Sequence, residues 1–305
     1  MNIVFMGTPD FAINPLKALI GAGHNILAVV TQTDKVSPSG KTIQSAVKKY
    51  AEREGLKVLQ FNKIRSEGSE VLRKLGADIF VTAAYVQILS EEILSIPPFG
   101  VINVHASLLP SYRGSSPIQW AVINGETKTG VTIMQTDVGL DTGDILLSKE
   151  IEIGLDDNAM TMFDKLSILG GELLVECLDK LSSGSITHTH QDESLASYYP
   201  MLKKSDGLID WKKSAKDLFN FIRGMYPWPG AYTYYNGALV KVLSASVSDL
   251  KGKSGEILEV EKSGLTVGCG DAAIHITKLQ LEGKKAMEAL DIYNGGKFIK
   301  GQKLG

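Results

Sequence analysis

The first 180 residues of the chain alternate short apolar runs with stretches in which apolar residues recur at helical spacing. Short uninterrupted apolar runs are typical of strands buried on both faces of a parallel sheet, and helical spacing indicates helices that bury one face. The alternation therefore predicts a doubly wound α/β sheet. The predicted strands are Ile3–Met6, Ile26–Thr31, Asp78–Thr82, Gly100–His105, Gly130–Met134 and Asp144–Ile153, and the predicted helices are Phe11–Gly21, Ile43–Gly55, Glu67–Gly76 and Asn158–Leu181.

The pattern changes after about residue 182. Residues 182–205 lose the periodicity and collect Ser, Thr, His and Tyr, as a linker does. Beyond them, short apolar runs separated by Gly or Lys/Ser turns predict a small, OB-like β-barrel. We expect an α/β domain at residues 1–185, a linker at 186–205 and a β-barrel domain at 206–305. The predicted barrel strands are Ala231–Tyr235, Leu239–Val247, Gly255–Val260, Leu265–Cys269 and Ala273–Leu281.

Composition and charge narrow the class of protein. With 305 residues, 44% of them hydrophobic, the chain has the size and composition of two ordinary globular domains. We find no membrane span, signal peptide or disulfide pattern, so a reducing cytoplasm is expected. Residues 201–305 carry 16 Lys and Arg against 11 Asp and Glu, whereas residues 1–200 carry 16 against 23. This positive C-terminal third indicates either a surface for a polyanion or an ordinary solvated surface.

The loop after the first predicted strand, Gly7–Phe11, does not have the glycine pattern of a dinucleotide site. Neither GxGxxG nor a Walker sequence is present, and Pro9 removes one amide donor. We interpret the loop as a tight turn in which Asp10 helps to cap the helix. The fold is therefore expected to be Rossmann-like without a nicotinamide site.

Two polar side chains lie two residues apart near the end of the predicted strand Gly100–His105. Strand side chains alternate faces, so Asn103 and His105 point the same way, towards the end of the sheet where ligands of open α/β folds bind. An amide and an imidazole placed there can both bond one substrate oxygen. A later loop, Asp137–Asp144, holds three carboxylates. One of them, buried beside His105, would favour the imidazolium form, although turns and caps are the other common use of such loops.

Several segments together resemble the folate-dependent formyltransferases. Asn103–Gly114, followed by Gly139–Gly143, carries most of the resemblance. Phe5–Phe11 and Ala84–Leu89 are similar to the family as a whole, and Trp211, Tyr226–Pro229 and Gly283–Met287 are similar to its methionyl-tRNA branch. The resemblance covers nearly the whole chain.

The resemblance implies a reaction and assigns residues to it. The reaction is transfer of a formyl group from 10-formyltetrahydrofolate to the free amine of methionyl-initiator tRNA, by a cytoplasmic monomer that needs no metal. The implied catalytic residues are Asn103, His105 and Asp141. The implied folate contacts are Ser107, Leu108, Leu109, Pro110, Gln87, Ile88, Leu89 and Asp137, and the implied tRNA contacts are Lys35, Lys41, Arg113, Lys284 and Lys285.

One segment departs from the family pattern. Related enzymes have an insertion after the second strand that reaches the acceptor stem and often carries Arg-Gly-Lys, whereas this chain has Ser39-Gly40-Lys41. The departure removes one positive charge from the implied tRNA contact.

Three other functions stay open from the residues alone. The same chemistry could act on a small amine, such as an amino-sugar nucleotide or a purine-pathway amine. Water in place of the amine would release formate, and an α/β scaffold could bind RNA without catalysis. The basic C-terminal region favours tRNA, because a small soluble acceptor needs no extended basic surface, and the set of Asn103, His105 and Asp141 favours an enzyme.

Overall fold

The structure, a computed structural model, describes all 305 residues. Contacts between residues group the chain into two units. The N-terminal unit comprises Met1–Gly114, Lys128–Ile151 and Phe163–Tyr199, and the C-terminal unit comprises Ser115–Thr127, Glu152–Met162 and Pro200–Gly305. The chain thus passes between the two units more than once, which the sequence pattern does not indicate.

The strands and helices are numbered in chain order. The strands are β1 (Asn2–Gly7), β2 (Asn25–Thr31), β3 (Lys35–Val36), β4 (Thr42–Ile43), β5 (Val58–Gln60), β6 (Ile79–Ala83), β7 (Val101–His105), β8 (Arg113–Gly114), β9 (Lys128–Gln135), β10 (Ile145–Glu152), β11 (Tyr198–Tyr199), β12 (Ala231–Tyr235), β13 (Ala238–Ser248), β14 (Ile257–Glu261), β15 (Gly264–Gly268), β16 (Ala273–Leu281) and β17 (Ala286–Glu288). The helices are α1 (Ile13–Gly21), α2 (Ala46–Arg53), α3 (Ile64–Glu67), α4 (Ser69–Arg73), α5 (Glu91–Leu94), α6 (Pro117–Ile123), α7 (Ala159–Ser182), α8 (Ala215–Met225) and α9 (Ala289–Asn294). Every strand expected from the sequence is present, whereas β5, β17, α3, α5, α6, α8, α9 and the two-residue strands were not expected.

A seven-stranded sheet forms the centre of the N-terminal unit, with the strand order β10-β9-β7-β6-β1-β2-β5. The five strands from β7 to β5 are parallel, and β9 runs antiparallel to β7. The chain starts in the middle of the sheet at β1, builds one side through β2 and β5, and then builds the other side from β6. This doubly wound order confirms the α/β prediction.

The two faces of this sheet are covered by different helices. One face packs Val101, at the start of β7, against side chains of α3, α4 and α5. On the opposite face α7 meets the sheet at Gly170, where an added Cβ would lie 2.8 Å from Val104 Cγ1. Because strand residues alternate, Asn103 and His105 share the face of Val101. That face of β7 is therefore apolar core at its start and polar towards its end.

A six-stranded antiparallel sheet forms the body of the C-terminal unit, in the order β12-β13-β16-β15-β14 with β17 paired to β16. The edge strands β12 and β14 are not paired with each other, but the last residues of the chain bridge them. Leu304 N donates to Gly255 O (2.8 Å) beside β14, and Gly305 N donates to Tyr234 O (2.9 Å) of β12. The chain end thereby completes a barrel-like ring of hydrogen bonds.

Replacing Leu304 with Ala is expected to lower the free energy of unfolding by about 2–4 kcal/mol, because a buried leucine is lost and a cavity is left. Leu304 is 3% exposed and packs in the same core as Trp211. Leu290→Ala on α9 is the matched control, since that side chain is 52% exposed and a change within about 0.5 kcal/mol is expected. Urea unfolding followed by tryptophan fluorescence measures both variants. Equal losses would contradict the packing role of the chain end.

Two observations bear on the class of protein. None of the helices combines the length and apolar composition that crossing a membrane requires. Cys177 and Cys269 are buried and unbonded to each other, and burial raises the pKa of the Cys177 thiol to about 12. Cys177 therefore stays a protonated thiol near neutral pH and packs as a small apolar group.

Candidate active site

Asn103 lies in the middle of β7, directly opposite Thr82 of the neighbouring strand β6. The Thr82 hydroxyl donates a hydrogen bond to Asn103 Oδ1 (2.9 Å). This bond fixes the orientation of the amide, because the oxygen faces β6 and the nitrogen must face away from it. Asn103 Nδ2 makes no hydrogen bond within the protein, so two donor hydrogens of a half-buried amide are free for a ligand.

His105, two residues further on, is almost completely buried. Its Nε2 donates to the carbonyl oxygen of Tyr112 (3.0 Å). Its Nδ1 faces the Asp141 carboxylate, with 3.7 Å between Nδ1 and Oδ1. Nε2 therefore carries a proton, and Nδ1 lies at ion-pair distance from a carboxylate.

The Asp-rich loop brings one carboxylate, that of Asp141, to His105. Asp141 has a positive φ of 55°, and its Oδ2 accepts a hydrogen bond from Gly114 N (2.8 Å). Asp137 instead closes the loop on itself by accepting from Gly139 N (3.0 Å). Asp144 faces His190, with 3.2 Å between Oδ1 and Nδ1. The structure therefore distinguishes the three carboxylates and pairs Asp141 with the imidazole.

Arg113 does not have the surface position expected of a tRNA contact. Its side chain is 0% exposed, and the guanidinium donates to Gln191 Oε1 (3.1 and 2.9 Å), the Glu193 carboxylate (2.9 and 2.7 Å) and the Tyr198 hydroxyl. The hydrogen bond with Glu193 raises the pKa of the Arg113 guanidinium. The Arg113 guanidinium is thus buried and fully bonded within the protein, and its contact with tRNA stays a prediction.

The turn Ser107–Pro110 is held by hydrogen bonds to Ser111 and to Thr132 of β9. Ser107 is completely buried, and its hydroxyl donates to Ser111 O (2.7 Å). Leu109 is also buried, and its amide donates to Thr132 Oγ1 (3.1 Å). The Ser107 side chain therefore stabilises the turn, whereas Leu108 and Pro110 keep part of their surface. The contact of these residues with folate stays a prediction.

In the segment after β6, the Gln87 side chain is held by hydrogen bonds and the Ile88 side chain is exposed. The Gln87 side chain accepts from Ile64 N (2.8 Å) and donates to Phe61 O (2.9 Å), so it ties two loops together. Burial raises the pKa of Tyr85 to about 12, so its hydroxyl is neutral. Ile88, by contrast, is one of the most exposed apolar residues of the chain.

Two family models match successive parts of the chain. The formyl transferase model matches residues 1–178, and the model of the formyl transferase C-terminal domain matches residues 201–297. A methionyl-tRNA formyltransferase of Geobacter metallireducens is 48% identical over 307 residues, which cover 100% of this chain and 99% of that protein. One of Ruminiclostridium cellulolyticum is 46% identical over 311 residues, which cover 100% of both. The chain belongs to the methionyl-tRNA formyltransferase family.

A solved structure has the same fold as this chain, although its sequence identity is lower than that of the two relatives. The N-formyltransferase of Helicobacter canadensis, in complex with folinic acid and dTDP-3-aminofucose, matches with a TM-score of 0.68 and 19% identity. The match covers 90% of this chain and 98% of that chain. The chain therefore shares its fold with that N-formyltransferase over most of its length.

The other four residues expected to contact tRNA are exposed in this member of the methionyl-tRNA formyltransferase family. Lys35 lies on β3 and Lys41 immediately precedes β4, in a two-stranded antiparallel hairpin. Lys284 and Lys285 lie in the turn between β16 and β17. Their exposure leaves all four ammonium groups accessible, and their contact with tRNA stays a prediction.

Several residues that hold the site of this methionyl-tRNA formyltransferase family member fall in the segment interpreted as a linker. Gln191 and Glu193 bond Arg113, and Ser197 bonds the backbone of Tyr112. Their partners lie about 80 residues earlier in the chain, so no local periodicity marks them. The structure contains no group of three or more His, Cys, Asp or Glu side chains placed to hold a metal ion.

Proposed function

We propose that the chain transfers the formyl group of 10-formyltetrahydrofolate to the free amine of methionyl-initiator tRNA, as a cytoplasmic monomer. The observation that carries this proposal is the arrangement on β7, where a free amide donor and a carboxylate-paired imidazole share one face. Relatives named for this reaction match the full length of the chain at 45–48% identity. The product would be formylmethionyl-tRNA, the form used to start translation.

The catalytic roles follow from the charge that develops during transfer. The neutral amine attacks the formyl carbon, and the carbonyl oxygen becomes an oxyanion. Asn103 Nδ2 donates to this oxyanion and the His105 imidazolium stabilises its charge, and one such donor is typically worth about 2.7–4 kcal/mol. The bond between the formyl carbon and N10 of the folate then breaks. Asp141, through water, takes the proton that the amine loses and returns one to the leaving nitrogen.

The donor would bind between two loops that flank the end of β7. Val86 and Ile88 of the loop after β6, and Val138 and Leu140 of the loop after β9, are exposed apolar residues. Exposed apolar groups beside polar ones are typical of ligand sites. The flat pterin ring would pack on these side chains and bond backbone groups of the same loops, which accounts for the few polar side chains there.

The acceptor tRNA would contact the basic residues of both units. Lys35 and Lys41 on the hairpin, and Lys284 and Lys285 on the turn after β16, are exposed cations that can bond phosphate. Residues 206–305 carry 14 Lys and Arg against 11 Asp and Glu and would act as the tRNA-binding domain. Phosphate contacts position the acceptor without reading its sequence.

The test is an initial-rate assay of formyl transfer from 10-formyltetrahydrofolate to charged methionyl-initiator tRNA. We expect turnover that needs both substrates, with kcat in the common range of about 1–1,000 per second. Uncharged initiator tRNA is the control, because it offers the same phosphates but no amine. Formate release at the same rate with charged and uncharged tRNA would instead indicate a hydrolase and overturn the proposal.

A further inference from the structure

The segment 189–199, which follows α7, holds the backbone on which the site's hydrogen bonds depend. Its strand β11 pairs in parallel with β8. Tyr112 N donates to Ser197 Oγ (2.9 Å), and Arg113 N donates to Ser197 O (2.8 Å). The Tyr112 carbonyl and the Gly114 amide, on either side of Arg113, are the groups that bond the catalytic imidazole and carboxylate. A displacement of this segment would therefore move both catalytic groups.

Gln191 connects this segment to the loop that carries the catalytic carboxylate. It is 2% exposed. Its Nε2 donates to Asp141 O (2.8 Å) and Gly143 O (2.7 Å), and its Oε1 accepts from Nε (3.1 Å) and Nη2 (2.9 Å) of Arg113. Every donor and acceptor of the carboxamide is thus used. These four bonds require a side chain that accepts at one atom and donates twice at another. Only a carboxamide on a side chain of this length provides both.

The loop needs such support because Asp141 adopts a conformation that a residue with a Cβ rarely adopts. Its φ of 55° lies in the left-handed region, and residues held there persist only when their surroundings determine them. The carboxylate is also at the margin of useful contact, with 3.7 Å between Asp141 Oδ1 and His105 Nδ1. A small rotation of the loop would separate the pair.

We propose that Gln191 is a positioning residue for formyl transfer: by joining the buried Arg113 to the carbonyls of Asp141 and Gly143, it sets the distance between the Asp141 carboxylate and His105. Gln191 does not touch substrate and acts only through this loop. Glu193 contributes by balancing the positive charge of Arg113, the guanidinium to which the Gln191 amide is bonded. The kinetic consequence rests on the proposed function, whereas the structural one does not.

The test replaces Gln191 with Glu, which keeps the shape of the side chain but sets an oxygen against the two carbonyl oxygens. A misplacement of about 1 Å can reduce turnover about 100-fold, so we expect kcat to fall roughly 10- to 100-fold. The KM values for folate and charged tRNA should stay within about twofold, because the binding surfaces are unchanged. Gln191→Met, which adds no charge, should also lower kcat while leaving both KM values nearly unchanged. Gln119→Glu, on half-buried α6, is the matched control.

Two further readouts separate positioning from general loss of structure. In an Asp141→Asn background Gln191→Glu should cause little additional loss of kcat, because residues that act through one group are not additive. Exchange of the Gly114 amide hydrogen, which bonds Asp141 Oδ2, should accelerate at least about tenfold in Gln191→Glu if its bond opens more often. The exchange measurement needs no substrate, so it decides the structural inference even if the chain transfers no formyl group. Unchanged exchange, or an equal loss of kcat in both backgrounds, overturns the proposal.

Discussion

Replacing Asn103 with Ala should reduce kcat for formyl transfer about 100- to 1,000-fold, the range found when one donor to a developing oxyanion is removed. Asn103 Nδ2 is the donor at this site with no partner in the protein, and Thr82 holds the amide so that this nitrogen faces away from β6. The donor acts mainly on charge that develops in the transition state. KM for charged tRNA should therefore change little, whereas kcat and kcat/KM fall together.

The control for this variant is Asn62→Ala, because Asn62 is an exposed amide of the same unit that bonds through its backbone alone. Its kcat should stay within about twofold of the wild-type value, as is usual for a surface substitution away from special features. Thermal unfolding of both variants checks that the fold is retained. An Asn103→Ala enzyme with normal kcat would contradict the assignment of the oxyanion donor.

Replacing Asp141 with Asn should reduce kcat about 100- to 10,000-fold, the contribution typical of general acid and base catalysis. The amide keeps the size of the carboxylate, and its oxygen can still accept the bond from Gly114. It removes the negative charge beside His105 Nδ1 and the group that carries the proton. The imidazolium then loses its counter-charge and is less favoured, so the oxyanion is stabilised less. The leaving nitrogen also loses its source of a proton.

Asp144→Asn is the matched control for Asp141, because it removes a carboxylate of the same loop that faces His190 instead of His105. A loss of no more than about threefold is expected, since only surface charge changes. Single-turnover transfer at saturating concentrations of both substrates isolates the chemical step for the two variants. Equal rates for Asp141→Asn and the wild type would remove Asp141 from the mechanism.

The alternation of strand residues was sufficient to predict that Asn103 and His105 lie on one face of β7. Asn103 and His105 share a face because they are two residues apart in a strand, and that strand was clear from its apolar run. The same reasoning could not choose among the three carboxylates of the loop, because a loop has no fixed period. Asp141 was assigned from the family resemblance, and the structure adds the reason: its left-handed backbone and the bond from Gly114 turn it towards His105.

Contacts between distant segments account for what the sequence did not predict. The burial of Arg113 was not predicted, because its partners, Gln191 and Glu193, lie 78 and 80 residues away in sequence. The segment around them has the composition of a linker, yet it packs on the site because it returns along β8. Helix α8 is different, because Ser214 caps it by accepting from Asp217 N (3.1 Å). A Ser ahead of an amphipathic stretch is a local signal for the start of a helix, so α8 could have been predicted from the sequence.

The most direct test of the central claim is a competition for a limiting amount of 10-formyltetrahydrofolate. Charged methionyl-initiator tRNA, free methionine and an amino-sugar nucleotide are supplied together to the wild-type chain, and the formylated products are identified by mass spectrometry. We predict that nearly all of the formyl group is found on the methionyl-tRNA, as an N-formyl amide. Formylation of a small amine in preference to the charged tRNA would contradict the account.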